Sequence, residues 1–464
     1  MITIKGGKCL LLGLLLSIFG GSTAVLASPW VEADDVYLRA SLQQLADAGY
    51  LQGNMATFPL MWSGIARDLR NVPVEALNEN QRIAYYRVRA ALNFAQQERV
   101  DTLRLQGSSE RIRTQGFGDT YYEHGSMRGA RAFVGDHTAG RLQTNIRAGT
   151  PDNKYYTFDG SYLATTLGNW AFSVDAMPVW WGPGQENALV LSTNSRPIQA
   201  FRFNRLSDDS VELPGLSLLG NWNATGFFGR TQSHGPLGDQ EIAGGRMSIR
   251  PTPALTVAGS YMVETGGRLG SRRQIAGLDG RLALPYSLAL YGEVAERQGS
   301  SRRTGARAYT FGADHYLRVG RHLQQLFVEY TDVPAFFYDD TTDPVGYRRW
   351  QQSMGAGIDQ DVESWSIGYR FQRADGSAWR LSYQDQVIGG SNRLVVHQHS
   401  LEAGRFELDR QVVNVKFQQA LGETLVSFGV TYMRDKISET SVESMANTTT
   451  KHDLSVRVGW EFRY

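Results

Sequence analysis

The sequence predicts an all-β transmembrane β-barrel of about eighteen antiparallel strands, with a small N-terminal α-helical bundle. Three observations carry that expectation. From about residue 111 to the last residue, apolar side chains recur at every second place. The gaps between these runs alternate long and short. The stretch before them, from 31 to about 106, has the period of helices.

The first segment reads as an export leader. Lys5 and Lys8 form its positive end, Leu10 to Gly20 its apolar core, and Val25-Leu26-Ala27 a small-residue cleavage site. Residues 1–27 are therefore expected to be removed, with the mature chain starting near Ser28. Cys9 lies upstream of the apolar core, where it is not a lipidation site, so the mature chain would hold no cysteine and no disulfide. Without Lys5 and Lys8 the 47 basic residues become 45 against 46 acidic, a net charge near −1 that gives no reason to expect nucleic acid.

Residues 28–110 are assigned to the helical bundle. Asp34 or Asp35 can cap a helix with Leu38, Leu42 and Leu45 on one stripe, ended by Gly49. Ser63 starts a second helix through Ile65 and Leu69, stopped before Pro73. Asn78 or Asn80 caps a third, with Ile83, Tyr86, Ala90 and Phe94 facing one way.

Residues 111–464 are assigned to the barrel. In WSIGYRFQR, Trp365, Ile367, Tyr369 and Phe371 share one face and Ser366, Gly368, Arg370 and Gln372 the other. Similar runs sit at Leu255–Val263, Leu288–Val294, Leu326–Tyr330, Trp379–Tyr383, Val413–Phe417 and Val426–Tyr432, each in a segment of the length a tilted strand needs to cross a bilayer. Further strands are expected near 128–134, 141–149, 155–166 and 170–177, and thirteen from about 211 onward. Between 178 and 210 the pattern breaks, and that stretch reads as a loop folded inward or over the barrel mouth.

Alternation alone also suits a soluble sandwich. The gaps discriminate. Residues 435–453, 386–409, 332–363, 296–307, 264–275 and 231–241 are long; 420–423, 373–378, 319–322, 285–287, 251–254 and 220–221 are short. Tight turns on one side and generous loops on the other belong to outer-membrane barrels: short periplasmic turns, long extracellular loops. The last strand, SVRVGWEFRY, must close the sheet against the first, since an open edge in lipid strands backbone groups at several kcal/mol each. Its aromatic end is also the signal that such barrels present to their insertion machinery. Lipid and lipopolysaccharide would surround a single chain.

No constellation requires an enzyme, a metal or a cofactor. His397 and His399 share a strand face without an evident third ligand, and no GxSxG is present. The long gaps hold Arg272 and Arg273, Arg302 and Arg303, and Tyr347, Arg348, Arg349 and Trp350. Guanidinium forks bind carboxylates bidentately and aromatic faces stack on sugar rings, so these residues are candidates for polysaccharide contact. Exposed loops are ordinarily polar, and Arg also pairs with lipopolysaccharide phosphates. Trp180, Trp181, Gly182, Pro183 and Gly184 cannot continue a strand, because Pro183 lacks a donor and the glycines favour a turn. This aromatic knot could fill the lumen or stack on sugar.

Several segments in order resemble the Wzi family of capsule assembly proteins, which are outer-membrane lectins. They are the stretch LQQLADAGYLQGNMATFPL ending in Thr57-Phe58-Pro59-Leu60, PVWWGPG from Pro178 to Gly184, Gly244-Gly245-Arg246 leading a strand, and the terminal barrel strand. The resemblance implies an eighteen-stranded barrel blocked by its loops and a periplasmic bundle. It also implies a role in holding capsular or exopolysaccharide at the cell surface. A diffusion porin or sugar-specific channel would share the barrel but have an open lumen.

Overall fold

The computed structural model describes residues 30–111, 115–119, 122–150, 152–210, 216–231, 240–266, 271–298, 305–317, 320, 322–339, 346–349, 352–389, 394–397, 400–441 and 447–463. Within these, eighteen main strands run in chain order round a closed antiparallel barrel. They are β1 (Arg99–Ser108), β2 (Gly125–Val134), β3 (Thr138–Ala148), β4 (Tyr162–Leu167), β5 (Trp170–Asp175) and β6 (Gln199–Arg205), then β7 (Asn221–Thr231), β8 (Gln240–Thr252), β9 (Leu255–Gly266), β10 (Ser271–Leu284), β11 (Leu288–Gln298) and β12 (Arg307–Leu317). The ring continues through β13 (Leu323–Val333), β14 (Val362–Gln372), β15 (Ala378–Ile388), β16 (Ser400–Leu421), β17 (Thr424–Ser441) and β18 (Asn447–Arg463). Closure pairs β18 with β1, from Arg457 opposite Ser108 to Arg463 opposite Thr102.

The alternation sorts the two faces. Leu163, Phe201, Phe228, Leu278, Phe311, Trp365 and Val458 point outward and are exposed, as a lipid-facing wall requires. Arg202, Arg246, Glu293, Glu329, Arg370 and Arg380 point inward and are buried.

Three helices sit at the tight-turn rim and reach into the lumen. In α1 (Val36–Asp47), Asp35 caps the helix by accepting from the backbone N–H groups of Tyr37 (2.8 Å) and Leu38 (2.9 Å). α2 spans Trp62–Leu69 and α3 Glu79–Ala95, the latter opened by a capping box between Asn78 and Gln81. Leu42, Leu45, Ile65, Leu69, Val88 and Leu92 form their shared core. α1 stands against the wall: Tyr316 donates to the Ala40 carbonyl at 2.8 Å and Gln372 to that of Tyr37 at 3.2 Å.

Several expectations are corrected. The sheet begins at Arg99, not at residue 111, because β1 is needed to satisfy the backbone of β18. The second helix is where it was expected, starting at Trp62, one residue before Ser63. Ser63 lies in the first turn, and its hydroxyl donates to the Leu206 carbonyl in a barrel turn. The inner stripe of α3 is Ala84, Tyr85, Val88 and Leu92, while Tyr86 is exposed; the expected stripe is rotated because this polar helix leaves two faces nearly equivalent by pattern. Among the described residues from 216 onward there are twelve main strands and not thirteen: Leu216–Leu219 is a 3₁₀ turn, and a strand falls earlier, at Gln199–Arg205. Two of the long gaps are partly strand, since β16, β17 and β18 run on past the rim of their neighbours and pair with one another there.

Candidate functional site

The site is the filled lumen and the loop that covers it. Three stretches remote in sequence meet inside the barrel. Trp180 pairs in register with Phe58 and Trp181 with Thr57, so the WWGPG knot and the Thr57-Phe58-Pro59-Leu60 segment form one short antiparallel bridge. Arg246 of Gly244-Gly245-Arg246 donates to the Thr57 hydroxyl at 2.8 Å and forms a fork with Asp279 (2.5 and 2.9 Å).

The knot is closely packed. Trp180 and Trp181 are wholly buried. The Phe117 ring meets Trp180 edge-on at 5.4 Å, and Trp181 lies 5.6 Å from Phe227. Gly182 adopts a φ of 153°, and a Cβ there would stand 2.6 Å from Glu293 Oε2. Gly184 has even less room, with the Asn187 carbonyl oxygen 1.9 Å from where a Cβ would be.

Buried charges hold the segment that follows. From α1, Arg39 donates to the carbonyls of Pro183 (3.0 Å) and Gly184 (2.8 Å), with its guanidinium 4.4 Å from the Phe117 ring centre. Burial, with Arg370 nearby, pushes the Arg39 pKa down to about 9. Glu329 on β13 accepts from the N–H groups of Gln185, Glu186 (3.1 Å) and Asn187 (3.0 Å), and Glu293 on β11 accepts from those of Leu189 (3.1 Å) and Val190 (3.3 Å). Glu186 in turn pairs with Arg380 on β15 at 2.6 Å. A non-helical backbone thus crosses the lumen with its amides satisfied by wall carboxylates.

The loop between β13 and β14 lies on this segment from the opposite side. Tyr338 donates to the Leu189 carbonyl (2.8 Å), Tyr347 to that of Val190 (3.0 Å), and Asn194 to that of Ser353 (3.0 Å).

The residues named as polysaccharide candidates do not form one patch. Tyr347 is buried in the contact just described. Arg349 is buried and donates to the Arg196 carbonyl (3.0 Å); burial lowers its pKa to about 10. Arg273 faces inward and pairs with Glu264 (2.7 Å). Arg272, next to it on β10, is exposed. Arg348 is half-buried and bridges Asp359 (2.6 and 2.7 Å) and Asp339 (3.1 Å) at the loop surface. Arg302, Arg303 and Trp350 lie outside the described residues. Sequence reasoning missed Arg39, Glu293 and Glu329. The signal for the two glutamates is an acidic residue on the polar face of a mid-barrel strand, where alternation already points it into the lumen.

A closed barrel with an apolar outer wall, tight turns on one rim and a filled lumen defines an outer-membrane β-barrel, its helices on the periplasmic side and its longer loops at the cell surface. The family model described as capsule assembly protein Wzi matches residues 95–269 and 270–456, and the chain belongs to that family. A Klebsiella pneumoniae relative, an uncharacterized 55.8 kDa protein in the cps region, is 28% identical over 261 residues, which is 55% of this chain and 50% of the relative. The chain thus spans about half the length of that relative. Among solved structures, Escherichia coli Wzi is similar, with a TM-score of 0.79 at 19% identity over 93% of this chain and 98% of that one. That protein is described as an outer-membrane protein involved in group 1 capsule assembly and as a carbohydrate-binding β-barrel. Pseudomonas aeruginosa OccK3 (OpdO) aligns with a TM-score of 0.42 at 15% identity, over 79% of this chain and 95% of that one.

Proposed function

We propose that this protein binds capsular or extracellular polysaccharide at its outer face, attaches it to the cell surface and organises it there, without catalysing a reaction. The observation that carries this reading is the crossing of the lumen by the segment after Trp181, held by Arg39, Glu293 and Glu329. A wall whose interior is tied up in this way suits an anchor better than a diffusion channel. Membership in a capsule assembly family and the likeness to a carbohydrate-binding barrel support the same reading. Residues 1–27 act as the export leader, the bundle before Arg99 closes the periplasmic end, and the barrel works as a single chain in lipid and lipopolysaccharide. Exposed Arg272, half-buried Arg348 and the loop residues Arg302, Arg303 and Trp350 supply sugar contacts at the surface, while Tyr347, Arg349 and Arg273 hold the loops in shape.

The test is gene deletion scored for cell-attached against released polysaccharide, together with planar-bilayer recording of the purified protein. Released polymer and an absence of steady current are expected. Unchanged attachment, or large porin-like currents, would overturn the reading.

A further inference from the structure

The wall formed by β16, β17 and β18 can be followed rung by rung, because all three strands pair with one another past the rim of their neighbours. Its outward face rises from the periplasmic side through Phe417, Phe428 and Val458, then Val415, Val430 and Val456, then Val413, Tyr432 and Leu454. The next rung is Gln411, Arg434 and His452, and the one above it Asp409, Lys436 and Thr450. The apolar face thus ends at Tyr432 and Leu454. The first groups above it, at the height of the outer-leaflet headgroups, are an arginine and a histidine, with a lysine next.

Arg434, Lys436 and His452 are all exposed, and Arg434 makes no ion pair among the described residues. Lys436 has Asp409 at 3.8 Å, with about half of each side chain in solvent; such a pair contributes little and is open to a further anion. The Tyr432 hydroxyl meets His452 Nδ1 at 2.7 Å with the two rings stacked, which holds the imidazole and leaves Nε2 for a ligand. Opposed residues on neighbouring strands stand about 5 Å apart and residues two apart on one strand about 7 Å, so one phosphate can reach all three. Carboxylates confine the patch: Asp385 stands beside Gln411 on β15, and Glu407 lies on the rung above Asp409. On the opposite face of the same strands Arg410 forms a fork with Asp435, both contacts at 2.8 Å, so its guanidinium is occupied.

We infer that the outward face of β17 and β18 holds a phosphorylated lipid of the outer leaflet. The Arg434 guanidinium donates two N–H groups to a lipid phosphate, Lys436 and His452 close on the same phosphate, and the acyl chains lie on Tyr432, Leu454 and the valines below them. A lipid suits this place better than a polysaccharide, because cationic and apolar surface are continuous here on the side turned away from the barrel mouth. The inference does not depend on polymer binding at the outer face.

The test uses the full-length protein in detergent micelles, titrated with diphosphorylated lipid A and read by native mass spectrometry. Phosphatidylethanolamine serves as the zwitterionic lipid, inorganic phosphate as the free anion and polygalacturonate as the acidic polymer. Lipid A is expected to stay bound where phosphatidylethanolamine does not. Arg434→Gln and Lys436→Gln together weaken that binding by about tenfold or more. Arg307→Gln, at an exposed outer-rim arginine paired with Glu296, leaves it unchanged. Heat-modifiable gel migration reports folding, and Arg434→Gln alone is read if the double variant does not fold. Equal binding of phosphatidylethanolamine, full retention of lipid A by the folded variant, or an equal loss in Arg307→Gln would overturn the inference. So would displacement of the lipid by an equal concentration of inorganic phosphate or of polygalacturonate.

Discussion

Replacing Glu329 by Gln tests whether a single carboxylate latches the lumen segment. The change keeps the side chain's size and its place on β13. It removes the charge, leaves one acceptor oxygen in place of two, and turns an amide N–H₂ toward backbone donors. Glu329 now accepts from the N–H groups of Gln185, Glu186 and Asn187 and from the Tyr291 hydroxyl at 3.0 Å. Glutamine leaves at least two of these donors without an acceptor. Hydrogen bonds to a charged group contribute about 1.5–3 kcal/mol each. Two lost bonds therefore cost about 3–6 kcal/mol, offset in part because a buried charge is no longer desolvated. A net loss of about 3 kcal/mol corresponds to roughly 150-fold more frequent local opening. Amide hydrogen exchange on the full-length protein in micelles reads this directly. Protection of residues 185–187 should fall by about two orders of magnitude, whereas Leu189 and Val190, held by Glu293, keep theirs. Unchanged exchange at 185–187 would refute the latch. An equal loss throughout the barrel would show instead that the carboxylate supports the whole fold.

Gly182→Ala should destabilise the knot by about 1–3 kcal/mol, because the new methyl meets Glu293 at a positive φ; a lower unfolding midpoint on heat-modifiable gels checks it. Trp180→Ala should cost about 3–5 kcal/mol by leaving a cavity beside Phe117, and a midpoint equal to that of the parent protein would contradict the packing described. Alanine at Arg302, Arg303 and Arg348 together should release polysaccharide into the medium with barrel abundance unchanged, while Arg349→Ala should lower abundance, since Arg349 is an interior residue. In the turn after β6, burial, with Asp68 nearby, raises the half-buried Asp208 carboxyl from 3.8 to about 6. The folded turn then takes up a proton between those values, so its stability falls as pH rises through that window and is level above it. Exchange protection near residues 206–210 should follow that slope, and Asp208→Asn should flatten it.

Much of the barrel was legible because a wall between lipid and a polar interior forces a period of two. The run Trp365, Ile367 against Ser366, Arg370 shows both faces in nine letters. The WWGPG stretch was legible as something other than a strand, since Pro183 and its glycines forbid a ladder. The first strand was hidden behind the helices: Arg99–Ser108 carries weak alternation and earns its place only by pairing with β18. The extensions of β16 to β18 were hidden too, because beyond the membrane no lipid face imposes an apolar pattern and Ser- and Thr-rich strands look like loops. The candidate arginines divided for a similar reason. Arg272 and Arg273 are neighbours on one strand, so one is exposed and the other paired inside.

What the chain's letters determined alone is the periodic part: a membrane-spanning wall, its orientation from turn length, and three amphipathic helices beside it. Each follows from local sterics and from which face must avoid water. The tertiary structure alone decided that Thr57, Trp180 and Arg246 meet, that Arg39 holds the knot from below, and that Glu293 and Glu329 receive a stretch more than a hundred residues away. Those partners are chosen by closure of the ring and by the need of buried amides and charges for one another, and no short window of sequence contains both members of such a pair.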